Sequence, residues 1–72
     1  MASAGFVVAF VLIRVPRGAP RPSDDACREA IARDREQLRL PPLNGRLEYG
    51  VAGPYEVIVN GTDLDEYTIW EK

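Results

Sequence analysis

The chain has 72 residues, 46% of them hydrophobic and 28% charged, with a formal net charge of −2. These proportions are typical of a globular protein and argue against a wholly disordered chain, and the length suffices for one small domain over residues 1–72. With no histidine and a single cysteine, the sequence excludes histidine-based catalysis, an internal disulfide and a multi-cysteine metal site. A domain of this size buries only about 60% of its unfolded surface, so a partner or a second copy can add stability.

The chain begins with an apolar run in which the 13 residues before Arg14 carry no charge. The run is shorter than the roughly 20 residues of a membrane-spanning helix, and no basic residue precedes it as in a signal peptide. Its β-branched and Phe residues predict a strand over about residues 5–15. Because successive positions are apolar, we expect this strand to be central and at least partly covered on both faces. Without an export signal, we expect a cytoplasmic protein in which Cys27 stays reduced.

A proline-rich loop over residues 16–22 separates this strand from a helix. Ser23 stands in an N-cap position, and Pro41-Pro42 ends the helical pattern, which predicts a helix over about residues 24–39. Cys27 belongs to its apolar stripe, so we expect a structural cysteine and not a nucleophile. We expect the stripe to pack against the sheet, and its members are Cys27, Ala30, Ile31, Asp34 and Leu38.

The second half of the chain has the alternating pattern of strands. Ala52-Gly53-Pro54 interrupts the pattern, and Asn60-Gly61 indicates a hairpin, whose turn is either tight at that dipeptide or extends through Asp65. The element order predicts an α+β fold, in which one helix packs on one face of a largely antiparallel sheet of three or four strands. The other face is left for solvent or a partner. The strands of this half are predicted over about residues 46–51, 55–60 and 65–71.

The sequence provides little for catalysis or cofactor binding. The six Gly residues form no phosphate-binding loop, and the oxygen-bearing side chains between Asn60 and Glu66 do not match the spacing of a calcium loop. We therefore predict a protein that is not an enzyme, with no metal and no cofactor.

Net negative charge and the Tyr and Trp residues are concentrated in the C-terminal half. From Leu47 to Glu71 there are six acidic residues and no basic residue, interleaved with Tyr and Trp, which are common interface anchors. We expect Asp63, Asp65 and Glu66 to lie unpaired at or near the hairpin tip, with Trp70 beside them. The predicted partner-binding residues are Asp63, Asp65, Glu66, Trp70, Tyr67, Glu56, Tyr55 and Glu48.

This acidic, aromatic surface predicts binding to a protein with a basic surface. From size and charge, the leading hypothesis is a stoichiometric inhibitor of a nucleic-acid-handling complex, of the phage accessory type that includes anti-CRISPR proteins. The alternative is an adaptor or assembly subunit whose exposed sheet face forms a homodimer or docks in a complex. The least favoured hypothesis is weak nucleic-acid binding through the loop that carries Arg14, Arg17 and Arg21, because DNA binding usually uses about six or more phosphate contacts. No membrane association is expected.

Overall fold

The described part of the chain folds as three antiparallel strands with one helix packed on one face of the sheet. The structure is a computed structural model, and it describes residues 10–41 and 46–72. The strands form one sheet in the order β1-β3-β2, which agrees with the predicted α+β class. The elements in chain order are β1 (Phe10–Pro16), α1 (Asp24–Gln37), β2 (Tyr49–Val59) and β3 (Thr62–Glu71).

The prediction that the first strand is central was wrong, because β3 occupies the centre and β1 lies at an edge. The hairpin places β2 on one side of β3, and β1 adds to the other side in antiparallel register. Both faces of β1 carry apolar side chains, which accounts for the apolar residues at successive positions of this segment. The helix covers only one of the two faces. Phe10 and Leu12 are on the uncovered side. The part of the predicted strand that precedes Phe10 lies outside the described residues. The side chains of β1 that pack toward the helix are Val11, Ile13 and Val15.

β2 is one continuous strand where the sequence predicted two. The predicted break at Ala52-Gly53-Pro54 is a bulge, at which the register with β3 shifts between Ala52 and Tyr55. Gly53 has φ +125°, and a Cβ atom at this position would lie 2.7 Å from the Glu66 carbonyl oxygen. Glycine is therefore required here, because the two backbones approach too closely for a side chain.

The turn between β2 and β3 is the tight one of the two alternatives. Asn60 and Gly61 alone connect the strands, with φ of 50° and 78°. Two consecutive positive φ values are those of a type I′ turn, whose twist matches that of the flanking strands.

The core lies between the helix and β3. Cys27 and Ile31 of α1 are buried against Tyr67 and Ile69. The helix begins as predicted, because the Ser23 side chain accepts a hydrogen bond from the Ala26 N–H at 3.1 Å. It ends at Gln37, so the predicted stripe does not extend to Leu38, which is the C-cap residue and is exposed.

Both outer edges of the sheet carry features that interrupt backbone pairing. At the β1 edge, the Asp34 carboxylate of the helix accepts a hydrogen bond from the Phe10 N–H at 2.9 Å. At the β2 edge, the bulge includes Pro54, which has no N–H to donate.

In the parts of the chain that the structure describes, no helix is long and apolar enough to cross a bilayer.

Candidate functional site

The two faces of the sheet differ because the single described helix covers only one of them. Residues that pair directly across neighbouring strands share a face, and successive residues of a strand alternate between faces. Tyr67 and Ile69 point to the helix, so Glu66, Thr68 and Trp70 point away from it. We call the uncovered side the open face, and its members are Phe10, Leu12, Arg14, Pro16, Gly50, Ala52, Tyr55, Val57, Leu64, Glu66, Thr68 and Trp70.

The open face exposes large apolar side chains from both edge strands. Phe10 is 55% exposed, Leu12 is 47% exposed and Tyr55 is 52% exposed. Trp70 and Val57 are partly buried on the same side. Scattered exposed apolar residues are ordinary, but a group on one flat face is typical of an interaction surface.

Trp70 is held against the backbone of β2. Its indole ring lies over Gly50, where an added Cβ atom would come within 2.4 Å of the ring carbons Cε2 and Cζ2. The absence of a side chain at Gly50 therefore makes room for the ring, which covers the glycine in turn. Trp70 thus has a fixed position on the open face, next to its cross-strand neighbour Phe10.

Among the described residues of the open face, the two charged ones form an ion pair with each other. The Nε atom of Arg14 donates to Oε2 of Glu66 at 2.9 Å, and the two residues are direct partners in the β1–β3 register. Tyr55 lies on the other side of Glu66, in the β2–β3 register. The face as a whole therefore carries no net charge.

The three carboxylates predicted to be unpaired are divided between the two faces and engaged by arginines. Asp65 is buried on the helix side, where it accepts the Gly18 N–H at 2.9 Å and lies 3.5 Å from Nε of Arg17. Asp63 is on the same side, 3.7 Å from Arg17, whereas Glu66 is on the open face. The expected single cluster of unpaired acids is therefore wrong, because alternation separates residue 66 from residues 63 and 65.

The other predicted binding residues are also dispersed. Tyr67 is 4% exposed in the core, so it cannot contact a partner without unfolding. Tyr55 and Trp70 are on the open face, whereas Glu56 is exposed on the helix side and Glu48 is exposed before β2 begins.

The basic loop is occupied by contacts within the chain. The Nη2 atom of Arg17 donates to the carbonyl oxygens of Val57 at 2.9 Å and Leu64 at 3.1 Å, in addition to its ion pairs. Arg14 is paired on the open face, and Arg21 is exposed. Folding brings β3 beside this loop, so Arg14 and Arg17, two of the three arginines predicted to bind nucleic acid, are paired with acidic residues of β3.

A second polar cluster, which the sequence analysis did not identify, lies where the helix begins. The Tyr49 hydroxyl donates to Asp24, and Nε of Arg28 donates to the same carboxylate at 2.8 Å. The guanidinium of Arg28 lies 5.2 Å from the centre of the Tyr49 ring. Together with Arg46 and Lys72 these residues line an open groove of about 490 Å³.

The ionisation of this cluster follows from its contacts. The hydrogen bonds from Tyr49 and Arg28 lower the pKa of Asp24, and the hydrogen bond to Asp24 raises the pKa of Tyr49. Burial raises the pKa of the nearby Cys27 thiol. The groove thus contains an ionised carboxylate and a neutral tyrosine near neutral pH, an arrangement that ties the helix to β2.

Comparisons of the chain with protein-family models, with curated proteins and with solved structures found no match. Within residues 10–41 and 46–72, no three or more His, Cys, Asp or Glu side chains are grouped as potential metal ligands. Of the surfaces in the described part of the chain, the open face is the most distinctive, because it groups Phe10, Leu12 and Tyr55 as exposed side chains.

Proposed function

We propose that this chain is a non-enzymatic protein-binding domain, an adaptor or assembly subunit, and that the open face is its binding surface. The observation that carries the proposal is the exposure of Phe10, Leu12 and Tyr55 on one side of the sheet. Apolar area of this kind is costly in water, and burying it against another protein returns about 25 cal/mol for each Å² removed from solvent.

The open face also has the composition of an interface. Tyr and Trp are enriched among residues that contribute most to binding energy, and Tyr55 and Trp70 both lie on this face. Trp70 is already held in place by Gly50, so little side-chain freedom remains to be lost on binding.

The inhibitor hypothesis derived from the acidic residues has weaker support. It requires free carboxylates to bind a basic partner, and Glu66 and Asp65 are engaged by Arg14 and Arg17. Binding to nucleic acid through the basic loop is disfavoured for the same reason, since the arginines would have to leave these contacts.

Site-specific photo-crosslinking tests the proposed function in the cells that naturally produce the chain. A photoreactive amino acid replaces Leu12 on the open face in one variant, and Glu29 on the exposed outer side of the helix in a control. We expect protein adducts from position 12 and few from position 29. Adducts from position 29 alone, or in equal amounts from both positions, would refute the open face as the binding surface.

A further inference from the structure

We infer that the occupant of the open face is a second copy of this chain, bound as a two-fold dimer with the two sheets face to face. This inference rests on the proposed function, because it names the partner of the same surface. On the open face, Arg14 and Glu66 are adjacent, and their opposite charges cancel. A partner with a large net charge gains nothing from such a face, whereas a surface with its own adjacent positive and negative groups complements it.

A second copy supplies that pattern in one orientation of the two aligned sheets. If the two-fold axis runs across the strands at the level of Arg14, the residues at that level face their own copies, so two arginines meet and two Glu66 residues meet. If the axis runs along the strands between β1 and β3, each β1 lies over the β3 of the second copy. Arg14 then faces Glu66 of the second copy, and the reverse pair forms by symmetry. Of these two orientations, only the second avoids like charges in contact.

The same orientation matches the apolar residues of the face. Phe10 and Trp70 are direct partners in the register between β1 and β3, so the axis between these strands places Phe10 opposite Trp70 of the second copy. Leu12 is placed opposite Thr68 by the same operation. Aromatic pairs contribute beyond their buried area, so this contact favours the same arrangement as the charges.

The size of the face sets the expected strength of the dimer. In this orientation β1 and β3 of one copy overlap β3 and β1 of the other, whereas each β2 lies outside the overlap. Two strands spaced about 4.8 Å apart, with seven residues at about 3.3 Å each, give a flat footprint of roughly 200 Å² per copy. An interface on this footprint falls at the small end of the range for specific complexes, below about 1,200 Å² in total. We therefore expect a weak dimer, in which monomer and dimer interconvert with concentration.

The test uses two charge reversals whose effects cancel only across a dimer interface. Arg14→Glu places two acids on the face, and Glu66→Arg places two bases there. Each variant alone has like charges facing each other in the dimer, so we expect its self-association to weaken by about 100-fold or more. In an equal mixture every acid of one chain faces a base of the other. We expect the mixture to dimerise again, although neither chain regains its internal ion pair.

Sedimentation velocity over a concentration series measures these states, and the emission of Trp70, the single tryptophan, reports burial of the face. Arg33→Glu and Glu29→Arg are the matched controls, because they make the same charge changes in an exposed pair on the helix. We expect both controls to dimerise like the unaltered chain. If circular dichroism shows that either reversal at position 14 or 66 is unfolded, Leu12→Asp mixed with Thr68→Lys applies the same complementation without altering the ion pair.

Two results would overturn the inference. The unaltered chain could remain monomeric up to a concentration of about 1 mM, at which a dimer with a dissociation constant of that size would be half formed. The unaltered chain could instead dimerise while the mixture of reversed variants does not, which would show that the copies associate in another way. The proposed function is tested separately by photo-crosslinking. It requires adducts from position 12, whatever the mass of the crosslinked protein, so the absence of such adducts would refute it. If the unaltered chain is monomeric and the adducts contain a different protein, the proposed function is retained. The inference that the partner is a second copy is then rejected.

Discussion

The covered and open faces of the sheet are built from alternate residues of the same strands, yet they have opposite roles. On β3, Ile69 is fully buried and Tyr67 nearly so, whereas their neighbour Trp70 is only partly covered. The helix makes the difference, because it packs Cys27 and Ile31 on one side only. The covered face therefore supplies stability, and the open face leaves its apolar area available to a partner. Substitutions matched between the two faces test this division.

The largest difference is expected between Ile31→Asp and Leu12→Asp. Ile31 is fully buried, so an aspartate there is an uncompensated buried charge, which costs more than about 3 kcal/mol and exceeds what a domain of this size can lose. Leu12 is half exposed, and its replacement costs less than about 1 kcal/mol in dilute solution. Urea unfolding followed by circular dichroism measures both. A folded, cooperative Ile31→Asp variant would contradict the position of the helix.

A smaller difference is expected between the consecutive carboxylates Asp65 and Glu66. Asp65→Ala leaves the Gly18 N–H and Arg17 without their buried acceptor, at a cost of about 1–3 kcal/mol. Glu66→Ala removes one ion pair from the open face, at a cost of less than about 1 kcal/mol. Thermal unfolding of the two variants compares them directly. Equal losses would show that Asp65 does not anchor the loop between β1 and the helix.

The smallest effect is expected at the rim of the covered face, in the pH dependence of stability. The pKa of Asp24 is lowered in the folded chain, chiefly by the Tyr49 hydroxyl and then by Arg28, so its contribution is present above its ordinary value of 3.8. That contribution is lost as the pH falls below 3.8 through the lowered pKa.

Asp24→Asn is therefore expected to flatten the decline in stability at acid pH. Unfolding at a series of pH values between about 5 and 2 measures this decline. Asp25→Asn is the control, because it removes the same charge from the adjacent exposed position. An identical acid profile for both variants would show that the contacts of Asp24 do not contribute.

The fold class was predictable because its signals are local. Ser23 caps the helix, Asn60-Gly61 forms a tight turn, and alternation separates Tyr67 from Trp70 as the pattern predicts. The position of β1 was not predictable in this way, because strand order depends on pairing between distant segments. An apolar run has the same composition in a central strand as in an edge strand with one uncovered face.

The candidate site was predicted only in part, for a related physical reason. Tyr55, Glu66 and Trp70 were identified from composition, and Arg14 was identified as a nucleic-acid-binding candidate, but the apolar neighbours on the face were not identified. Arg14 and Glu66 are 52 positions apart in sequence, so their ion pair depends on the register between β1 and β3. Charges counted along the chain therefore indicated two separate surfaces, one acidic and one basic, where the folded protein pairs Arg14 with Glu66 and Arg17 with Asp65.

The features at the two edges of the sheet restrict how copies of this chain can associate. Open edges add strands without limit and lead to fibres, the hazard that edge strands carry in solution. Here the Asp34 carboxylate occupies the Phe10 N–H at one edge, and the bulge at Pro54 disrupts the other. The addition of further strands is thereby hindered at both edges of the sheet. A chain that associates through its flat side instead makes a closed object of fixed size, which stays in solution when its concentration rises.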